Sequence, residues 1–442
     1  MDREVARAVR VIADECSSLA WEDVPEPVQD RTRMVLFDTL GVLIAGAESV
    51  EMRSFASQYN EPGNAPLVGV GRRATVEASC WVNGAALCAL ELDEGSKFAR
   101  GHPGAHTIPA ALALGNGQSG TSWLTAILVG YEVAARFGRA TRLAEGVHPH
   151  GTWGSTGAAA LTAHLLDLGP EAIGAAIDAA SGLTLAPHFE SALGGHPVRN
   201  LWVGASNNNG IAAGRLAATG LGEIHGTAAR TFGELIGVFD VGPIAVPFEE
   251  RFEIMHGYFK RHASCAYTHA AVDATLLLLD GPECRIDDIE SVRVETYSMA
   301  AALNRTSWPT RLSALFSVPY VVAVVLAEGR FGPSSSDSDH RSDPSIGRLA
   351  ASVTVVATDE FDRRLPERRG ARVNIIFKNG VEMSASVEQP VGDSANEPLG
   401  WTELRRKIAG LIGASRGVEL EQAVRALDVG PAADLVDTLV DI

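Results

Sequence analysis

Through roughly the first 265 residues, apolar side chains recur at spacings of three and four, a period that admits helices and little else. The runs 31–47, 121–140, 154–168, 171–185 and 204–220 all follow it. Several begin after Gly, Pro or Thr and close at Gly, as helix ends require. Many are rich in Ala and Gly, which lets helix axes approach closely. The expectation is one large all-α domain spanning 1–268.

The period changes after His269. A helical run, 270–279, leads into β-like 289–296; a second helix, 316–328, is followed by a Ser/Asp-rich loop, 333–343, and by strand-like 351–357. The segments 373–377 and 381–387 flank Lys378-Asn379-Gly380, and Asn-Gly is a strong hairpin signal. These define a smaller α+β lid domain over 269–392. The tail, 393–442, turns helical again and is expected to pack back on the first domain. The fold class is therefore mainly α.

The formal charge of −17, with no basic face in view, argues against nucleic acid and anionic membranes as partners. Any cationic site must be local. Five cysteines (Cys16, Cys80, Cys88, Cys265 and Cys284) without a CxxC pair read as reduced thiols rather than a disulfide framework or a zinc site. No apolar run approaches the ~20 residues of a membrane span, and the acidic, amphipathic start does not resemble a signal peptide. A cytoplasmic setting is the expectation.

Four segments carry candidate chemistry. The first is the polar stretch 91–109, set between apolar helical runs, where Asp93 and His102 are the candidate acid/base pair; Glu94 and Lys97 are read as solvent-exposed. Burying such groups costs several kcal/mol unless they are paired or used. The second, His148-Pro149-His150-Gly151-Thr152, opens an Ala-rich helix. Its N–H groups, from Gly151 through Thr152 to Gly154, offer a seat for a carboxylate, with His148 and His150 beside it. The third places Arg199 before a helix, where it can clamp a carboxylate bidentately; Asn207-Asn208-Asn209 in that helix suggest a polar cavity or a helix interface. The fourth runs from Lys260 to His269 at the domain junction. Its Cys265 reads as a buried structural thiol. No third ligand accompanies His148 and His150, so no metal is expected.

Taken in order, these segments resemble the 2-methylcitrate dehydratase (MmgE/PrpD) family, which includes methylcitrate dehydratases, cis-aconitate decarboxylases and iminodisuccinate epimerases. The resemblance rests on Glu91-Leu92-Asp93-Glu94 with Gly101-His102-Pro103, Gly130-Tyr131-Glu132-Val133, His148-Pro149 with Gly151-Thr152 and Gly154, Ser264-Cys265 with Thr268-His269, Phe316-Ser317-Val318-Pro319-Tyr320, and Pro390-Val391-Gly392-Asp393. It covers nearly the whole chain. Where many members carry Asp-Asp-Thr-His, this chain has Asp93-Glu94-Gly95-Ser96. Arg199 stands for a frequent Lys, and Lys260-Arg261-His262 for Lys-Pro-Tyr.

The resemblance implies an all-α domain with an α+β lid, a homodimer, and a site between the domains that needs neither metal nor organic cofactor. It implies active-site positions at Asp93, His102, His148, Arg199 and His269, with His150 an added candidate. The implied chemistry is proton transfer next to a carboxylate. His102 or His148 serves as base with Asp93 orienting or acting itself, and His269 or the remaining His serves as acid. Arg199, Lys260 and the backbone around Gly151 and Thr152 hold the substrate. The leading expectation is a dehydratase-like lyase of a small hydroxylated di- or tricarboxylate; an epimerase and a non-catalytic binding homologue are the alternatives.

Overall fold

The computed structural model describes residues 1–280 and 286–441; Cys284 lies outside them. Its helical part contains α1 (Asp2–Ser18), α2 (Glu26–Ala47), α3 (Val76–Cys88), α4 (Ile108–Leu114), α5 (Gly120–Ala140), α6 (Gly154–Leu165), α7 (Pro170–Ser181) and α8 (Val198–Ala218). Caps mark the starts of several: the Thr75 hydroxyl accepts from Ala78 N–H ahead of α3, and Ser119 does the same for Ser122 ahead of α5. The helices expected over 31–47 and 204–220 begin earlier than their periodicity shows. In α2 Pro sits in the first turn, and α8 starts at Val198, so that Arg199 lies within the helix rather than before it.

Close approach explains the small residues. A Cβ on Gly84 would stand 2.7 Å from the backbone nitrogen of Gly204, and one on Gly157 would press on the backbone of Gly130. Here α3 crosses α8, and α6 crosses α5, at distances only Gly permits.

The smaller part is built on a four-stranded sheet. Its strands are β3 (Ile289–Thr296), β4 (Val353–Ala357), β5 (Ala371–Phe377) and β6 (Glu382–Val387), in the order β6-β5-β3-β4. The pair β3–β4 is parallel, while β3–β5 and β5–β6 are antiparallel, with Val294 opposite Val373. Alternate residues of β5 are buried, as a strand with one covered face requires. Val292, Val294, Val373 and Ile375 share a core with helices α9 (His269–Leu279) and α10 (Val318–Glu328). The 333–343 segment is not a plain loop: it folds into short helical turns at Pro333–Ser336 and Ser338–Arg341.

The C-terminal helices α11 (Trp401–Ile412), α12 (Ala414–Ala426) and α13 (Ala432–Asp441) lie on the helical part. Leu404, Ile408, Leu420 and Leu435 belong to the same core as Phe37 and Leu40 of α2. Two two-residue strands, β1 (Gly95–Ser96) and β2 (Gly257–Tyr258), pair antiparallel and tie the polar loop to the strap leading into the lid. No helix among the described residues is long and apolar enough to cross a membrane.

Candidate active site

The polar loop between α3 and α4 is buried almost throughout. Glu91, Asp93 and Glu94 are each 1% exposed, and Lys97 is 4% exposed. The expectation of solvent exposure for Glu94 and Lys97 is therefore corrected, and the reason is that each has distant partners. Glu94 accepts from Gly104 N–H (2.6 Å) and from the Tyr131 hydroxyl (3.1 Å). Lys97 pairs with Asp393 (2.9 Å) and donates to the Glu367 carbonyl (2.9 Å), gripping the lid.

Within this loop Asp93 and His102 meet. His102 Nδ1 lies 3.2 Å from Asp93 Oδ2 and 2.6 Å from the Glu94 carbonyl oxygen. A carbonyl only accepts, so Nδ1 carries the proton, and a neutral ring then presents the Nε2 lone pair. Burial pushes the imidazole below its usual range against the pull of Asp93. Burial opposes ionisation of Asp93 too, but the charges of Lys260 and Arg199 and the contact with His102 outweigh it and hold the carboxyl below its ordinary range.

His148 has the opposite tautomer. Its Nδ1 accepts from His150 N–H at 3.1 Å, so its Nε2 carries the proton when the ring is neutral. Burial and Arg199 hold both His148 and His150 well below the ordinary imidazole range. The His150 ring sits edge-on to three others, with centroids 4.8 Å from His148 and 5.1 Å from both His102 and His106. Neither His150 ring nitrogen has a hydrogen-bond partner among the described residues.

The rings of His102, His148 and His150 line a small cavity of about 40 Å³ between the helical part and the lid. From the first come Glu91, Arg100, His102, His148, His150 and Arg199; from the strap and lid come Tyr258, Cys265, Tyr267, Phe316 and Arg369. In and behind this wall, four charges close on one another. Arg199 is ion-paired with Glu91, and Lys260 Nζ lies 3.4 Å from both Glu91 Oε2 and Asp93 Oδ1. All four side chains are essentially buried. Two anions thus balance two cations, the condition for keeping such groups out of water.

Several expected site residues sit elsewhere. His269 opens α9, with its Nε2 3.2 Å from the Ser264 carbonyl and its ring 5.2 Å from His262, and it does not line the cavity. His262 is engaged by Asp273 at 2.8 Å, so this second imidazole pair braces the lid. Lys260 faces the loop carboxylates and not the cavity. Nor do Gly151 and Thr152 form an open anion seat: Thr152 N–H and Oγ1 both bond to the Pro149 carbonyl, and the His106 ring covers Gly154. At φ +86°, Gly151 serves the turn itself. Asn207 bonds across a helix interface, to Ala105 O (3.1 Å) and Ala110 N–H (2.9 Å), and so fixes the segment after the loop. The Cys265 thiol is pushed up to about 12, first by burial, which removes it as a nucleophile.

Residues that sequence reasoning missed come mostly from the lid side. Tyr258 is opposite Gly95 in the β1–β2 register, and a Cβ on Gly95 would stand 2.5 Å from its hydroxyl oxygen. The missing side chain at Gly95 is thus what admits the phenol. Burial raises the Tyr258 hydroxyl to about 12, so it keeps its proton. Glu91 and His106 stood in a motif already singled out, but nothing local told that one would grip Arg199 and the other back the imidazole stack. Among the described residues, no three His, Cys, Asp or Glu side chains are arranged to hold a metal ion.

This two-part fold with a polar cleft between its parts is that of a known group of carboxylate enzymes. The MmgE/PrpD N-terminal domain profile matches residues 10–241 and the C-terminal domain profile residues 262–429. The chain belongs to the MmgE/PrpD family. It is 27% identical to a cis-aconitate decarboxylase of Aspergillus terreus, over 95% of this chain and 94% of that one. It is 25% identical to a cis-aconitate decarboxylase-like protein of Aspergillus oryzae, over 97% and 96% of the two.

Proposed function

We propose that the protein is a lyase that moves a proton at the carbon beside a carboxylate of a small di- or tricarboxylate. The observation that supports this best is the Asp93–His102 pair, whose tautomer leaves the Nε2 lone pair free on a ring that lines a cavity also lined by Arg100, Arg199 and Arg369. In a dehydration, Nε2 takes the proton from carbon as negative charge develops toward the carboxylate. The electron pair left behind forms the new C=C bond while the C–O bond on the neighbouring carbon breaks. The departing hydroxide gains a proton and leaves as water. Tyr258, which holds its proton, and His148 Nε2–H, both lining the cavity, would supply that proton or stabilise the charge.

A second reading, decarboxylation of an unsaturated tricarboxylate, is favoured by the names of the relatives. There the C–CO2 bond breaks and a carbon is protonated, so Tyr258, not neutral His102, is the donor that matters.

The test is a panel of hydroxylated and unsaturated di- and tricarboxylates, read by ultraviolet absorbance of new double bonds, CO2 release and solvent deuterium uptake. Dehydration is expected to give absorbance without CO2; CO2 release marks the decarboxylase, and deuterium uptake without net product marks an epimerase. His102→Gln should lower kcat by about 10²–10⁴-fold. Activity should rise with pH through an inflection below the ordinary imidazole value of 6.5. A panel without turnover, or His102→Gln at full rate, would sink the proposal.

A further inference from the structure

The charges around the cavity do not fall where the sequence suggests. Arg199, the obvious carboxylate clamp, is already ion-paired with Glu91, and Lys260 with Glu91 and Asp93. That inner group is neutral and has no spare positive charge.

The outer wall differs. The segment 363–372 holds five arginines. Arg363 pairs with Asp359 at 3.6 Å, Arg364 with Glu360 at 3.2 Å, Arg372 with Glu295 at 3.1 Å, and Arg368 with Glu388. Arg369 is the exception: it is only 7% exposed, yet its guanidinium has no ion pair or hydrogen bond among the described residues. The expectation runs the other way, since a surface arginine can dispense with a partner and a buried one cannot. The Tyr258 ring lies 4.9 Å from the guanidinium carbon, and the phenols of Tyr297 and Tyr267 also act on it. Asp393, the carboxylate that acts on it, is taken by Lys97.

Arg369 lines both the imidazole cavity and an adjoining one that opens beside it, and Arg100 and Tyr267 line both as well. Arg100, which is exposed, has no ion pair among the described residues either, and it is held at φ 55°, a left-handed backbone that a side chain adopts only at a cost. Its neighbour Lys97 holds the Glu367 carbonyl, two residues before Arg369, so the loop and the lid segment are fixed together. Two cations with no ion pair among the described residues, Arg369 buried and Arg100 exposed, therefore stand where the two cavities join, in a protein of formal net charge −17.

We propose that Arg369, with Arg100 beside it, is the group that captures a substrate carboxylate, while Arg199 serves to hold Glu91. This rests on the carboxylate reading above and names the residues that recognise the anion. The carboxylate would complete the missing half of a buried ion pair, with the planar guanidinium offering two parallel N–H donors. It would also leave the rest of a polycarboxylate toward His102.

The test uses the full chain and the inert tricarboxylate propane-1,2,3-tricarboxylate at low salt, by calorimetry, together with ligand-free melting. Arg369→Met is expected to weaken binding about 100-fold, with Arg369→Lys in between. The ligand-free melting temperature of Arg369→Met should equal or exceed that of the unaltered protein, because an unmatched buried charge has been removed. Arg199→Met should instead melt lower, since it leaves the buried carboxylates of Glu91 and Asp93 to share Lys260. Unchanged binding by Arg369→Met would overturn the assignment, as would a ligand-free melting point lower by about 5 °C or more. Failure of the unaltered protein to bind any tricarboxylate would overturn the carboxylate reading of the whole cavity, and this assignment with it.

Discussion

Replacing Glu94 by Gln should stabilise the protein in mild alkali and leave it almost unchanged in mild acid. Burial, reinforced by Asp93, pushes the Glu94 carboxyl from an ordinary 4.5 up to about 8, against the pull of Gly104 N–H, Tyr131 and Arg31. The folded state therefore keeps this proton over a pH range in which the unfolded chain has lost it. Stability linked to Glu94 is intact below about pH 4.5 and falls as pH rises toward about 8. The span from 4.5 to about 8, at about 1.36 kcal/mol per tenfold change in proton affinity, corresponds to about 5 kcal/mol, an upper figure because the unfolded chain retains some structure. Gln keeps the shape. Its amide oxygen can accept from Gly104 N–H, and its NH2 can donate to the Tyr131 oxygen. Thermal melts of both proteins between about pH 5 and pH 8.5 supply the comparison: the curves should coincide at the acid end, with the variant melting progressively higher toward the alkaline end. An offset that does not change with pH, or an unaltered protein that gains on the variant as pH rises, would refute the reasoning.

Lys260→Met should cost about 3–5 kcal/mol of stability, seen as a lowered melting point, because Glu91 and Asp93 would then share Arg199 alone. Gly95→Ser should destabilise the β1–β2 pair, since its Cβ would stand 2.5 Å from the Tyr258 hydroxyl. Adding Tyr258→Ala to that variant should recover the melting point, and a double variant no better than the single would dismiss the clash as the cause.

Much of the architecture was legible because period is a local property. The three-and-four spacing marked the α5, α6 and α7 regions, and alternation around Asn379-Gly380 marked the β5–β6 hairpin. The helix starts in α2 and α8 were less legible, since first turns carry Pro or Arg rather than a full apolar repeat. Arg199 was consequently read as preceding a helix it belongs to. In the candidate site, Asp93 and His102 could be paired in advance, being nine residues apart in one loop. The burial of Glu94 and Lys97 could not, because it depends on Tyr131, Gly104, Asp393 and the Glu367 carbonyl, three of them far away in the chain. His269 misled for the matching reason: a His at a domain junction suggests a cleft, yet the Ser264 carbonyl five residues earlier turns its ring inward.

By itself the sequence determined the helical body, the hairpin-bearing lid, the acidic character of the whole and part of the residue set that lines the cleft, Arg199, His102, His148 and His150 among them. These follow from side-chain period and composition, which each segment carries wherever it ends up. Only the tertiary structure decided which charges meet. Arg199 and Arg369 are chemically the same side chain, but one is packed against Glu91 and the other lines the cavity without an ion pair among the described residues. The difference is one of solvation and pairing, and it exists only once α8, the polar loop and the lid have closed around the same small volume.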